Sequence, residues 1–211
     1  MKHSKSTFLK VLSVSLFTVM STSLAHALVD ISAKGGLSLS SQAASNSGGT
    51  SINDYSSAGI GYLGGLGVDI GLGPVGVLVD VLYARRSYEF GAGSLLNNSS
   101  IKVSSLHLPV QARFSIIPML SLTAGVYYAM VLGDGGRYNS SGDKVGTVAF
   151  SGAAASDFGL VGGVGVALPL AVTTLSLEAR YNYGLKNTSD SPVGDASTKN
   201  RSIDLLVGVT F

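Results

Sequence analysis

The chain has no cysteine and no tryptophan, and only 12% of its residues are charged. Each shortage removes a class. Without cysteine there is no disulfide framework of the kind that holds small exported domains together, no thiolate metal site, and no cysteine for a lipoprotein anchor. Soluble domains carry about 25% charged residues, roughly twice the share found here. Mean hydropathy is +0.40, which does not suit an ordinary water-exposed surface. Yet long apolar runs are missing beyond the N-terminus. The nearest, 159–177, is interrupted by Gly162, Gly163, Gly165 and Pro169. A spanning helix needs ~20 apolar residues and tolerates those interruptions poorly. Membrane-like hydropathy without spanning helices leaves strands that show lipid one face only.

The N-terminus reads as an export signal. Lys2, Lys5 and Lys10 form a positive start, an apolar run extends from Phe8 to Met20, and Ala25-His26-Ala27 closes it with small residues at both key positions of a cleavage site. This predicts a signal peptide over 1–27 and one domain over 28–211 that begins at Leu28. Three of the 14 Lys and Arg residues precede residue 28, whereas all 12 Asp and Glu follow it. Eleven bases against twelve acids leave the processed chain at −1. No basic patch survives, so a nucleic-acid partner is not expected.

The rest alternates with a period of two. In the last segment Ile203, Leu205, Val207, Val209 and Phe211 occupy one parity and Ser202, Asp204, Leu206, Gly208 and Thr210 the other. Successive side chains of a strand point to opposite faces, so the first set makes an apolar stripe. Leu175 to Tyr183 behaves the same way, with Ser176, Glu178, Arg180 and Asn182 opposite. Six further segments of ten to fourteen residues follow the rule, making eight in all. Between segments two and three, four and five, and six and seven the chain turns tightly around Pro74, Pro118 and Pro169; the other connections, such as 40–57 and 132–156, are long and rich in Ser, Gly, Asn and Asp. The pattern predicts an all-β fold: an eight-stranded antiparallel up-and-down transmembrane barrel.

Alternation alone fits a soluble lipocalin-like barrel with its apolar face inward. Three features favour lipid outside. The polar faces carry too few charges and too many glycines for a water-facing exterior. The middle of each apolar face is uncharged, as it must be where a midplane Arg or Lys costs ~2–4 kcal/mol; Arg85 and Lys102, of that parity, stand at strand ends near the long loops. Aromatics sort by depth, with Tyr62, Tyr83, Tyr128, Tyr181, Tyr183 and Phe158 near the long loops and Phe114 and Phe211 near the short turns. Such rings form girdles at the two membrane interfaces. An eight-stranded barrel is just wide enough to be filled by side chains, and charges there must pair. A polar interior network of Lys34, Asp80, Arg113, Glu178, Arg180 and Asp204 is therefore expected, closing the barrel in preference to leaving a path through it.

Leu106-His107-Leu108-Pro109-Val110-Gln111-Ala112-Arg113-Phe114, Pro118 and Ala124-Gly125-Val126-Tyr127 resemble the fourth and fifth strands of the small outer-membrane β-barrel superfamily, the OmpA/OmpX-like and opacity-type porin-family proteins. Asp80-Val81-Leu82-Tyr83 resembles its acidic-apolar-aromatic third strand, with Asp where Glu is commoner. Phe211 matches the C-terminal aromatic that the barrel-assembly machinery reads as its signal. The resemblance implies the bacterial outer membrane, with lipid and lipopolysaccharide as surroundings, both termini periplasmic and the long loops extracellular. It implies no single activity.

Other motifs weigh less. Gly59-Ile60-Gly61-Tyr62-Leu63-Gly64 spells a dinucleotide fingerprint, but that chemistry needs a strand before it and a helix after it, and more strand follows. Ser105 and His107 share a face and could sketch a lipid hydrolase, yet a serine nucleophile needs a base that is itself oriented, and no acid is near in sequence. Asp134 and Asp143 lie in one Gly-rich stretch without a known calcium-loop spacing. No catalytic residue, cofactor or metal is expected. The function expected is a non-enzymatic scaffold displaying surface loops for adhesion or environmental contact, with an extracellular ligand at the loops as partner and a narrow channel for ions or small apolar solutes as the alternative.

Overall fold

The computed structural model describes residues 28–45, 51–52, 57–90, 99–150, 155–186 and 197–211. The expected signal peptide over 1–27 lies outside them. Eleven strands are found among the described residues: β1 (Leu28–Ser45), β2 (Ser51–Ile52), β3 (Ser57–Leu72), β4 (Val75–Phe90), β5 (Ser99–Ile117), β6 (Leu120–Val131), β7 (Gly135–Tyr138), β8 (Lys144–Val148), β9 (Ser156–Pro169), β10 (Thr174–Gly184) and β11 (Ser197–Thr210). Eight of them form the wall. Running β1, β3, β4, β5, β6, β9, β10, β11, each pairs antiparallel with the next, and β11 pairs back onto β1 from Ser32↔Thr210 to Ser45↔Ser197. Closure leaves no wall strand with an unpaired edge, which is what a lipid-exposed sheet requires.

The short turns fix one end. Leu72 pairs with Val75 across Gly73-Pro74, and Gly73 adopts φ 71°. A glycine in this left-handed region at the first turn position suits the mirror-image turns whose twist matches a hairpin. Ile117 pairs with Leu120 across Pro118-Met119. Pro169 ends β9, pairs with Thr174, and leaves 170–173 to turn. With those ends fixed, unequal strand length appears at the other: β1 and β5 have 18 and 19 residues, β6 and β10 only 12 and 11. Crossing the hydrocarbon takes about 9–11 tilted residues. The longest strands therefore exceed the expected ten to fourteen because their pairing continues past the apolar band. Beyond the end of β6, the wall is extended by the β7–β8 hairpin, whose first strand pairs with Ser100–Lys102 of β5. The sequence reading treats that hairpin as loop.

The faces divide as the alternation requires. Ile203, Leu205 and Val207 are exposed on the outer wall, while Ser202, Asp204, Leu206 and Gly208 point inward and are buried. Ile31, Ile60, Leu66, Val126, Leu160 and Val164 also lie outside. Soluble monomers rarely expose a contiguous apolar face of this kind. The inner face is less uniformly polar than its parity suggests, for Leu63, Leu82, Ala84 and Leu206 form one buried apolar cluster and Tyr127, Ala129 and Val161 another.

Two glycines show how little room the interior has. A Cβ on Gly36 would stand within 3 Å of the Leu205–Leu206 backbone, and one on Gly67 would meet the Asp80 carboxylate, Ser32 and Lys34. Gly67→Ala is thus expected to push Asp80 out of place and destabilise the barrel by about 1–3 kcal/mol, the usual cost of overfilling a packed interior. Urea titration of the micelle-refolded protein would read it, with Gly64→Ala, whose Cβ meets nothing closer than 3.5 Å, as the milder control.

Candidate functional site in the barrel interior and at its rim

The register brings charged residues from six strands to different heights inside the barrel. In the middle lies a quartet. Lys34 Nζ (β1) is 3.1 Å from Asp80 Oδ1 (β4) and 2.8 Å from Glu178 Oε1 (β10). Arg180 donates from Nη1 to Asp80 Oδ2 at 2.6 Å, and from Nε and Nη2 to Glu178 Oε2, the Nε bond at 2.9 Å. Two cations and two anions thus alternate around a closed ring. Asp80 is 0% exposed, Arg180 3% and Lys34 7%, whereas the Glu178 side chain is 13% exposed. Burying an ion is expensive, and only partners with good geometry offset that cost. Glycine supplies the space: Gly67 lies beside Asp80, and Gly163 and Gly165 oppose Arg180 and Glu178.

The other two residues of the expected network stand apart. Arg113 pairs with Asp69, Nε to Oδ2 at 2.5 Å and Nη2 to Oδ1 at 3.1 Å, nearer the short turns. Asp204 belongs to a group nearer the long loops, accepting from Ser38 Oγ at 2.5 Å and Asn182 Nδ2 at 2.7 Å, with Arg86 Nη2 at 3.5 Å. The six residues are thus three groups in a vertical stack. Asp69 and Arg86, both on the inward parity, complete two of them.

Below the quartet the interior opens. A cavity of about 320 Å³ is bounded by Asp30, Asp69, Arg113 and Ser121 near the short turns and by Lys34 and Glu178 at its inner end. Above the quartet, Ser105 and His107 face the interior and are buried. The His107 ring packs edge-on against Tyr127 with centroids 4.7 Å apart, and Tyr127 donates to Asp157 Oδ2 at 3.0 Å. His107 Nε2 has no hydrogen-bond partner, so this nitrogen engages neither Ser105 nor a carboxylate. The fingerprint-like glycines 59–64 lie within β3, and strand follows them. Asp134 and Asp143 do not share a loop: Asp134 precedes β7, and Asp143 closes the β7–β8 turn, its backbone N–H donating to Asn139 Oδ1 at 2.8 Å. Among the described residues no three His, Cys, Asp or Glu side chains gather as a metal site.

On the outer wall, Tyr62, Tyr83, Tyr128, Tyr181 and Phe158 are exposed in the half nearer the long loops, and Tyr183 is half-buried there. Phe114, paired with Val75 and Leu122, is exposed near the short turns, as is Phe211, whose N–H donates to Ile31 O at 2.9 Å. The closed barrel, its apolar exterior and these two aromatic levels are now complete. A family model described as the outer membrane protein beta-barrel domain matches residues 22–190. The chain belongs to this family.

An outer membrane β-barrel is thus the identity of the fold, and the bacterial outer membrane its place. Among solved structures, Ail, the attachment invasion locus protein of Yersinia pestis, is 15% identical; the match covers 87% of this chain and 99% of that one, with a TM-score of 0.41. Neisserial surface protein A is 15% identical over 86% of this barrel chain and 97% of its own, TM-score 0.46. The outer membrane protein OprG from Pseudomonas aeruginosa is 14% identical over 88% and 97%, TM-score 0.44. No curated protein matches in sequence.

Proposed function

We propose that this outer-membrane barrel is a non-enzymatic scaffold, closed to solutes, that displays its long loops and the β7–β8 hairpin outside the cell for contact with an extracellular partner. The observation that carries the reading is the quartet of Lys34, Asp80, Glu178 and Arg180. It joins β1, β4 and β10 across the interior, with Asp80 and Arg180 buried and Lys34 and Glu178 closing the inner end of the cavity, so a solute would have to break ion pairs to pass. Function then falls to the loops, where a rigid scaffold usually carries binding. In this reading the short turns and both termini are periplasmic, the two aromatic levels are the interfacial girdles, and Phe211 is the signal for barrel assembly.

The cavity beneath the quartet favours a second reading, a narrow channel with its wide mouth at the short-turn end. Reconstitution in planar bilayers separates the two. A closed scaffold gives no stable conductance steps, whereas regular openings would replace the scaffold with a channel. Orientation has its own check. Trypsin added to intact cells should cut at exposed Lys144 in the hairpin, and protection there until the outer membrane is permeabilised would reverse the assignment of sides.

A further inference from the structure

We infer that the cavity beneath the quartet binds a small organic cation, an ammonium group on a short apolar body, with Asp30 of β1 as its counter-ion. The inference goes beyond the scaffold reading and needs only the cavity, whichever end of the barrel faces outward. At about 320 Å³ the space lies at the small end of the range for ligand pockets. Five ionisable side chains line it: Asp30, Lys34, Asp69, Arg113 and Glu178. Both cations among them are committed elsewhere. Lys34 Nζ lies between Asp80 and Glu178. Arg113 turns Nε and Nη2 to Asp69 and donates from Nη1 to Ser115 Oγ at 2.6 Å, so every guanidinium nitrogen already has a partner.

The register keeps Arg113 away from Asp30. Arg113 stands on β5 and reaches Asp69 on β3 across β4, where Gly76 leaves the passage open. A Cβ on Gly76 would stand 2.9 Å from Arg113 Nη2 and 3.0 Å from Asp69 Oδ1. Asp30 lies on the opposite flank of Asp69, directly across the β1–β3 pairing. Two carboxylates opposite each other on adjacent antiparallel strands repel, and Arg113 answers only one of them. Asp30 is half-buried on the inward face that carries Ser32 and Lys34. It makes no ion pair or hydrogen bond among the described residues, which include all three short turns around it. With Asp80 and Arg180 of the quartet counted in, four acids face three bases. The cavity thus carries an excess of one negative charge, whose field its low-dielectric walls concentrate.

The rest of the wall sets the kind of cation. Leu78, buried opposite Asp69, and Pro118 and Met119 of a short turn supply apolar surface. Ser32 and Ser121 direct their hydroxyl hydrogens to Gly67 O at 3.4 Å and Gly165 O at 3.5 Å, which leaves their oxygens as acceptors. A carboxylate beside acceptor hydroxyls suits an N–H donor and repels an anion. The apolar part of the wall suits an alkyl body, from which a hydrated inorganic ion gains nothing.

The test is amide NMR of the protein in detergent micelles at low ionic strength, titrated separately with butylammonium chloride, butanol and magnesium chloride. Butylammonium should give saturable shifts at Asp30, Ser32 and Ser121. Butanol, the same body without the charge, should give none. Asp30→Asn should weaken butylammonium binding roughly tenfold, as expected for one hydrogen bond to a charged group, whereas Asp30→Glu, which keeps the carboxylate, should retain most of it. Asn relieves the repulsion with Asp69, so that variant should fold, and heat-dependent gel migration confirms it for both. Undiminished binding by Asp30→Asn, or no saturable shift at the three amides, would overturn the inference. So would equal shifts with butanol, or equal affinity for magnesium, the mark of a site for inorganic cations. Conductance is read separately in bilayers, so a conducting barrel would displace the scaffold reading without touching this result.

Discussion

Arg180→Met is expected to cost about 3–5 kcal/mol of barrel stability, the range found when one partner is taken from a buried ion pair. Arg180 bonds both carboxylates of the quartet, and Asp80 has no water to turn to. Its removal leaves Lys34 alone between two anions. The cost is therefore the stranded charge more than the lost bonds. A second variant isolates this. Arg180→Met with Asp80→Asn leaves one cation, Lys34, facing one anion, Glu178, at 2.8 Å. That double variant should lose clearly less than the sum of the two single ones, because residues of one ion-pair network do not contribute independently. Equilibrium urea unfolding in phosphatidylcholine vesicles gives all three values. Additive losses would mean that the four side chains do not act as a unit.

Leu205→Arg is expected to cost about 2–4 kcal/mol, the penalty for a guanidinium near the bilayer midplane on a lipid-facing barrel position. Leu205 sits at mid-height on β11, 50% exposed, between Leu37 and Ala179 of the adjoining strands. Ile203→Arg, one outward position closer to the rim, should cost less than half as much, since the penalty falls toward the interface. Arg201, the next outward position, is already arginine. Leu205→Ala sharpens the comparison. In a protein core it would leave a cavity and cost about 2–5 kcal/mol; here acyl chains fill the space, so the loss should stay near 1 kcal/mol, roughly the apolar area removed. A cavity-sized loss for Leu205→Ala would place that side chain among protein atoms.

Much of this fold was legible because a barrel strand repeats every two residues and a single misplaced parity would bury every wrong side chain. The eight wall strands, their order and the tight turns at Pro74 and Pro118 come straight from that repeat. Height is less legible than side. Alternation says that Asp69, Arg113, Asp80 and Arg180 share the interior, but which of them meet depends on the register of strands far apart in sequence. Arg113 finds Asp69, 44 positions away, rather than the quartet, and Arg86 finds Asp204 across the barrel. The β7–β8 hairpin was missed for a different reason. Gly135-Gly136-Arg137-Tyr138 has no apolar stripe to read, because its outward side meets headgroups or water and its pairing is inherited from β5.

The chain's lack of cysteine provides a clean background for the decisive measurement. Residues 203 to 209 would each be replaced in turn by cysteine, labelled with a nitroxide, and the protein refolded in phosphatidylcholine vesicles. Collision rates with dissolved oxygen, which concentrates among acyl chains, should then rise and fall every second residue, high at 203, 205, 207 and 209 and low at 204, 206 and 208. A profile in the opposite phase, or one without a two-residue period, would contradict the assignment of faces from which the closed interior follows.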